Sequence, residues 1–275
     1  MMLNKRRGLI ALAAAAALVL TGFALPAAAQ NEATASITSD KTAKPTVVLV
    51  HGAFADSSGW TSVTTALQNK GYPVIAFSNP LRSPLSDGEY LRQFLSTISG
   101  PIVLVGHSYG GAVITNGATG NPNVKSLVYI AAYALAEGES VQAASALGGG
   151  HTDIGDHLVV RPFPDAAEGD GDAYIDPAFF PQLFAQDLPK SVAQSMAALQ
   201  RPAALATLVT PSGPAAWVSI PSWYMVAKND RIIAPEAERA MAARAGATTV
   251  EIKSSHVPMV SHPQAVVDLI LKAAR

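Results

Sequence analysis

Ile102-Val103-Leu104-Val105-Gly106-His107-Ser108-Tyr109-Gly110-Gly111 reads as a strand that runs into a helix through a turn built on glycines. Four aliphatic residues in a row suit a strand covered on both faces, as in a parallel sheet. The Gly-x-Ser-x-Gly that follows fits a turn too sharp for ordinary side chains on its flanks. Gly106 and Gly110 stand two residues either side of Ser108 and supply no Cβ. Such a turn lifts the Ser108 hydroxyl above the sheet edge, beside the N-terminus of a helix predicted over 109–117. Unpaired N–H groups there favour developing negative charge.

Working outward, the same kind of apolar run recurs at 47–50, 74–77 and 127–130. The intervals of about 25 residues are those of βαβ units. Helices are predicted between them at 61–69 and 89–98, ended by Gly71 and Gly100. The alternation resumes late, with strands at 223–226 and 249–252 and helices at 235–245 and 263–274. Pro235 and Pro263 sit in first turns, where proline is tolerated. From 134 to about 218 the alternation fails, giving Gly148-Gly149-Gly150, an acidic loop at 165–172 and a short helical piece at 191–199. A structureless loop of that length is improbable, so the stretch is expected to be an insertion capping the C-terminal edge of the sheet. The expected fold class is α/β: a mostly parallel sheet of about six strands, flanking helices and an inserted cap.

Composition narrows the function. The 275 residues, 49% hydrophobic and 14% charged, suit one globular domain. The absence of cysteine excludes disulfides, thiolate metal sites and a cysteine nucleophile. A net charge of −1 leaves no basic footprint for nucleic acid and no polybasic attraction to a membrane. No phosphate-cradling glycine motif is present. Asp165, Glu168, Asp170 and Asp172 lack the spacing of a calcium loop. His151, Asp153, Asp156 and His157 have no matching ligand elsewhere. Neither a metal nor another cofactor is expected.

A serine hydroxyl needs a base within reach to act as a nucleophile. Of the six histidines, His151 and His157 fall in the cap. His107 points away from the neighbouring hydroxyl, and His51 matters more for its backbone than for its ring. His256 follows the strand 249–252 and precedes the last helix, so it opens on the same sheet edge as Ser108. His262, beside Pro263, reads as a capping or packing residue. The base in turn needs a carboxylate to hold its tautomer. Asp230 follows the strand 223–226 on that edge, and the chain order Ser108, Asp230, His256 fits; Glu137 is the other candidate, and a surface pair with Arg231 is the bland reading of Asp230. For the oxyanion, the N–H of Ala53, after the first strand, can join that of Tyr109. Loss of one such donor typically costs about 3–4 kcal/mol. Gly52 is expected to let the backbone approach substrate closely. Phe54, Trp217 and Met259 are candidate pocket residues. Phe163, Phe179, Phe180 and Phe184 could line a pocket or simply fill the cap.

These stretches resemble the α/β-hydrolase superfamily, and three are similar to its cofactor-free esterase and hydroxynitrile-lyase branch: Val50-His51-Gly52-Ala53-Phe54, Gly106 to Gly111, and Ser255-His256-Val257-Pro258-Met259. The resemblance runs from Thr46 to Arg275, strongest in the core and weakest in the cap. Bacterial members also carry stretches like Ser78-Asn79-Pro80-Leu81 and Pro221-Ser222-Trp223-Tyr224. It implies a Ser-His-Asp triad on Ser108, His256 and Asp230 and hydrolysis of small or medium carboxylic esters through an acyl-enzyme. The alternatives are a lyase using the same triad, or a non-catalytic ligand-binding protein. Plant lyases of this branch have a Thr after the oxyanion-loop His and a Lys after the catalytic His. Here those positions are Gly52 and Val257, which points to the esterase.

The N-terminus reads as an address. Lys5, Arg6 and Arg7 precede an apolar run at 8–20, then Pro26 and Ala27-Ala28-Ala29. This is the layout of a secretory signal with cleavage after Ala29. The apolar run is short for a membrane span of about 20 residues, so no anchor is expected. Residues 30–45 are polar and aperiodic, as a leader ahead of the domain at 46–275 would be. A secreted or periplasmic protein acting on a small ester is the expectation.

Overall fold

Val47, Val48, Leu49 and Val50 are wholly inaccessible to solvent, as a β-branched run in a sheet covered on both faces must be. They belong to β1 (Thr46–Val50), the first strand in a computed structural model that describes residues 44–275. The expected signal at 1–29 and nearly all of the leader at 30–45 lie outside the described residues. After β1 come α1 (Thr61–Asn69), β2 (Val74–Phe77), α2 (Pro84–Ser96), β3 (Ile102–Ser108), α3 (Tyr109–Gly117) and β4 (Val124–Ala132). A segment of short elements follows: α4 (Val141–Ala144), β5 (Leu158–Arg161), β6 (Asp172–Ile175), α5 (Phe180–Phe184), α6 (Lys190–Ala198), β7 (Ala203–Ala204) and α7 (Ala206–Val209). Then β8 (Ser222–Ala227), α8 (Pro235–Arg244), β9 (Thr248–Ile252), α9 (Pro258–Ser261) and α10 (Pro263–Ala273) complete the chain.

Six strands form one sheet in the order β2-β1-β3-β4-β8-β9, and every neighbouring pair is parallel. Because β2 lies on one side of β1 and β3 on the other, the chain reverses its direction of travel between β1 and β3. Ligands of open α/β sheets bind at such a reversal, outside the carboxyl ends of the strands. Ser108 ends β3 there, and His51 to Phe54 leave β1 beside it. Leu67 of α1 and Val266, Val267 and Ile270 of α10 are fully buried, as are Leu91 and Leu95 of α2 and Val113 and Ile114 of α3.

Two departures from the sequence reading are instructive. Helix α2 begins at Pro84 rather than at 89. Ser83 caps it by accepting the Ser86 N–H at 3.2 Å, and Pro84 occupies the first turn. The cap marked the start that apolar periodicity missed. A second, antiparallel sheet, β5-β6-β7, lies within the segment between β4 and β8. Its strands have 4, 4 and 2 residues, too short for alternation to stand out. Arg82 ties this sheet to the main body through Asp172 at 2.8 Å.

Among the described residues no helix is long and apolar enough to cross a membrane.

Candidate active site

Ser108 has φ +52° and ψ −127°, a backbone conformation that side chains other than glycine rarely adopt. The surrounding glycines explain how it is held. A Cβ at Gly110 would stand 2.5 Å from the Val50 carbonyl oxygen, and one at Gly106 would stand 2.6 Å from that of Gly110. Strand β3, the loop after β1 and helix α3 therefore meet backbone to backbone. Tyr109, the first residue of α3, is anchored at its other end, where its hydroxyl donates to Asp87 at 2.6 Å.

His256 and Asp230 come together as expected. His256 Nδ1 and Asp230 Oδ2 are 2.5 Å apart, and both side chains are fully buried. A nitrogen bonded to a carboxylate carries the proton, which leaves the lone pair on His256 Nε2. That nitrogen is buried and has no hydrogen-bond partner among the described residues. The other oxygen of Asp230 accepts the Ile232 and Ile233 N–H groups at 2.7 and 3.0 Å. Glu137, the other candidate acid, is exposed.

The two remaining buried histidines hold the site's frame. His107 Nε2 is 2.8 Å from the His256 carbonyl oxygen, so its N–H donates there. The two rings lie 4.7 Å apart. Burial, reinforced by the neighbouring His256, pushes His107 well below the usual histidine range and keeps it neutral. His51 corrects the sequence reading, because its ring matters as much as its backbone. Nε2 accepts the Asn79 N–H at 3.0 Å, Nδ1 lies 3.0 Å from the Gly52 carbonyl, and the Asn79 amide donates to the His51 carbonyl at 3.1 Å. Burial lowers the His51 pKa to about 4, so the ring is neutral at pH 7. Gly52 lets the loop after β1 approach Ser108 closely: a Cβ there would lie 2.5 Å from Ser108 Cβ and 3.1 Å from its Oγ.

Ser108, Tyr109, Ala53 and Phe54 line a mainly apolar cavity of about 400 Å³, walled from the segment 133–221 by Tyr133, Ile154 and Leu208 among others. Ala53 N–H has no acceptor among the described residues. Phe54, itself at φ +62°, also borders a second cavity of about 230 Å³ lined by Phe180, Phe184, Met196, Val257 and Met259. Met259 thus faces that second space. Trp217 lines neither cavity. Its indole N–H donates to the Leu135 carbonyl at 2.8 Å, which holds it as packing. Phe163 lies under the Arg82 guanidinium and Phe179 stacks on His157, whereas Phe180 and Phe184 line the second cavity.

Sequence reading missed a clamp. Gln186 donates to the Asn229 carbonyl at 2.5 Å, and the adjacent Asp187 accepts the Ser255 N–H at 2.8 Å. Two consecutive residues thus grip the loops that carry Asp230 and His256. Partial burial of Asp187 works the other way, yet hydrogen bonds from Ser255 win and hold its carboxyl below the usual range. Among the described residues no group of three or more potential ligands is placed to hold a metal ion.

The family model described as "Alpha/beta hydrolase family" matches residues 47–269. The chain belongs to the alpha/beta hydrolase family. This hydrolase-family chain is 29% identical over 258 residues to an alpha/beta hydrolase of Aspergillus novofumigatus, covering 84% of this chain and 97% of that one. It is 36% identical over 110 residues to a carbendazim hydrolyzing esterase of Nocardioides sp., covering 35% of this chain and 45% of that protein. The pyrethroid hydrolase of Sphingobium faniae has the same fold, with TM-score 0.70 and 22% identity over 84% of this chain and 97% of that one.

Proposed function

We propose that the protein is a serine esterase that hydrolyses small or medium carboxylic esters through an acyl-enzyme. The observation that carries this reading is the buried His256–Asp230 pair, whose Nε2 has no partner among the described residues and whose imidazole lies 4.7 Å from that of His107, the residue before a serine held at φ +52°. Ser108 Oγ attacks the ester carbonyl while His256 Nε2 takes its proton. Asp230 keeps the imidazole in the right tautomer and balances the charge it gains. The N–H groups of Ala53 and Tyr109 receive the oxyanion. The tetrahedral intermediate then collapses, and His256 returns the proton to the departing alkoxide as the alcohol leaves. Water, deprotonated by His256, attacks the acyl-Ser108 carbonyl; the second tetrahedral intermediate collapses, the acid leaves, and His256 returns the proton to Ser108 Oγ. Hydrogen bonds between nucleophile and base commonly tighten only when substrate is bound.

The cavities flanking Phe54 provide separate apolar places for the acyl and alcohol limbs, and about 400 Å³ is within the usual range for small-molecule sites. The segment 133–221 acts as the cap over them. A lyase reading finds no support: Gly52 and Val257 have no polar side chain to hold a cyanohydrin oxygen or a departing anion. The names of the carbendazim esterase and the pyrethroid hydrolase are consistent with hydrolysis but do not select a substrate. We further propose export through the N-terminal signal, giving a mature chain that begins at Gln30.

The test is a fluorophosphonate probe together with a panel of nitrophenyl esters of increasing chain length. The probe should label the wild type and not Ser108→Ala, and ester turnover should vanish with the label. Labelling that survives at full yield in Ser108→Ala would refute the assignment. Cyanide release from mandelonitrile that depends on Ser108, without ester turnover, would favour the lyase.

A further inference from the structure

Glu238, the fourth residue of α8, is a fully buried carboxyl that the proposed mechanism leaves unused. Its Oε2 accepts the Ala227 N–H at 3.0 Å, at the end of β8. Its Oε1 is buried and receives no donor from the described residues. Across from it lies the Asp230 carboxylate, within hydrogen-bond reach if one of the two carries a proton. The other ionisable groups near Glu238 are Tyr224 of β8, Tyr133 after β4, and Arg239 next to it on α8. The Tyr224 hydroxyl is spent on Ala132, and that of Tyr133 is bonded to Ser145. Arg239 is turned outward to Glu251 at 2.7 Å.

Two buried carboxylates in contact cannot both keep their charge. The donors decide which one does. Asp230 receives the His256 Nδ1–H and the N–H groups of Ile232 and Ile233, whereas Glu238 receives only that of Ala227. The charge therefore resides on Asp230 and the proton on Glu238. Burial and the charge of Asp230 both push Glu238 well above the carboxylate range.

We propose that Glu238 is a positioning residue: as an uncharged acid it donates from Oε1 to Asp230, and so limits how strongly Asp230 holds the charged form of His256. The proposal rests on reading Ser108, His256 and Asp230 as an esterase triad and adds a fourth member behind it. The proton stays on Glu238 throughout turnover. A donor on Asp230 spreads its negative charge, so the imidazolium of His256 is stabilised less than it would be by an unshared carboxylate.

The substitution Glu238→Gln keeps both hydrogen bonds, with the amide carbonyl toward Ala227 and the amide N–H toward Asp230. Glu238→Met keeps the volume and loses both. Infrared difference spectra at pH 8 between wild type and E238Q should show a protonated-carboxyl band in the wild type. The His256 titration, followed by imidazole NMR and by the acid limb of kcat/KM, should rise by about half to one pH unit in E238M. E238Q should restore it to the wild-type position, a rescue that a merely structural role would not produce. Loss of a buried negative charge would instead lower the His256 titration in both variants, and that result, or the absence of the infrared band, overturns the proposal. If E238M does not fold, the unchanged or lowered titration of E238Q decides. The infrared and NMR readings need no turnover. If they come out as expected while no ester is hydrolysed, the esterase reading fails and the placement of the proton stands.

Discussion

The edge of the sheet that carries Ser108 and the segment 133–221 that walls its cavity are built on opposite principles. At the sheet edge, backbones touch, glycines are obligatory and side chains are fully buried. In the segment, elements are short, and large apolar residues such as Leu199 and Val218 are 66% and 75% exposed. Side chains such as Arg82, Gln186 and Asp187 tie the segment to the loops of the main body by polar contacts. The difference teaches where precision is stored. Close backbone contact fixes Ser108 and its neighbours, and looser packing leaves the walls of the cavity open to change.

The largest effect expected from this contrast is on chemistry. His256→Ala should lower kcat by about 10⁴-fold, as for other triads. His262→Ala should leave it nearly unchanged, because among the described residues the His262 ring is hydrogen-bonded only to its neighbour Ser261. Stopped assays on a short aryl ester would measure both. Equal losses would mean that the precision does not lie where the geometry places it.

A second comparison is between glycines. Gly110→Ala drives a methyl into the Val50 carbonyl and should destabilise the fold by about 3 kcal/mol or more. Gly155→Ala meets no atom within 4 Å and should alter stability by less than about 0.5 kcal/mol. Urea denaturation gives both numbers, and comparable losses would erase the distinction between edge and wall.

Acid should act on the edge first. The unfolded chain takes a proton on His51 near 6.5, and the folded chain does so only near 4. Between those values the unfolded state binds more protons, so stability falls as pH drops below about 6.5. The loss from this residue reaches about 3 kcal/mol by pH 4. His107 shifts in the same direction and adds to it. Urea midpoints measured from pH 7.5 to pH 4.5 should fall accordingly, and the fall should shrink in His51→Gln. An unchanged slope in that variant would remove His51 as the cause.

The smallest effect concerns the clamp. Asp187→Ala frees the Ser255 N–H and should lower kcat about tenfold, with little change in urea midpoint. A large loss of stability with normal kcat would show that the clamp serves folding rather than alignment.

The contrast also explains what could be read from sequence. Strands such as 47–50 and 102–105 are unbroken apolar runs because both faces are covered, and the Gly-Ser-Gly turn is written by sterics, so both were legible. The meeting of Asp230 and His256 was legible because each follows a strand whose end must open on one edge. The clamp was not, since Gln186 and Asp187 act through backbone groups 43 and 68 residues away and no spacing marks them. Trp217 was taken for a pocket residue because an aromatic in a cap fits either role, and only its bond to Leu135 separates them. Glu238 carries no mark of its role in the sequence, because its burial depends on the packing of α8 against β8.

The absence of a side chain at Gly52 also constrains the routes by which this protein could diversify. A threonine there would bring a Cβ to 2.5 Å from Ser108 Cβ, so the substitution that lends lyases their extra hydroxyl is blocked as a first step. The loop after β1 would have to draw back from the nucleophile beforehand, and that retreat would misplace the Ala53 N–H. Any lineage crossing from one chemistry to the other must therefore pass through a change of backbone, probed by screening second-site suppressors of Gly52→Thr, before the new side chain is of use.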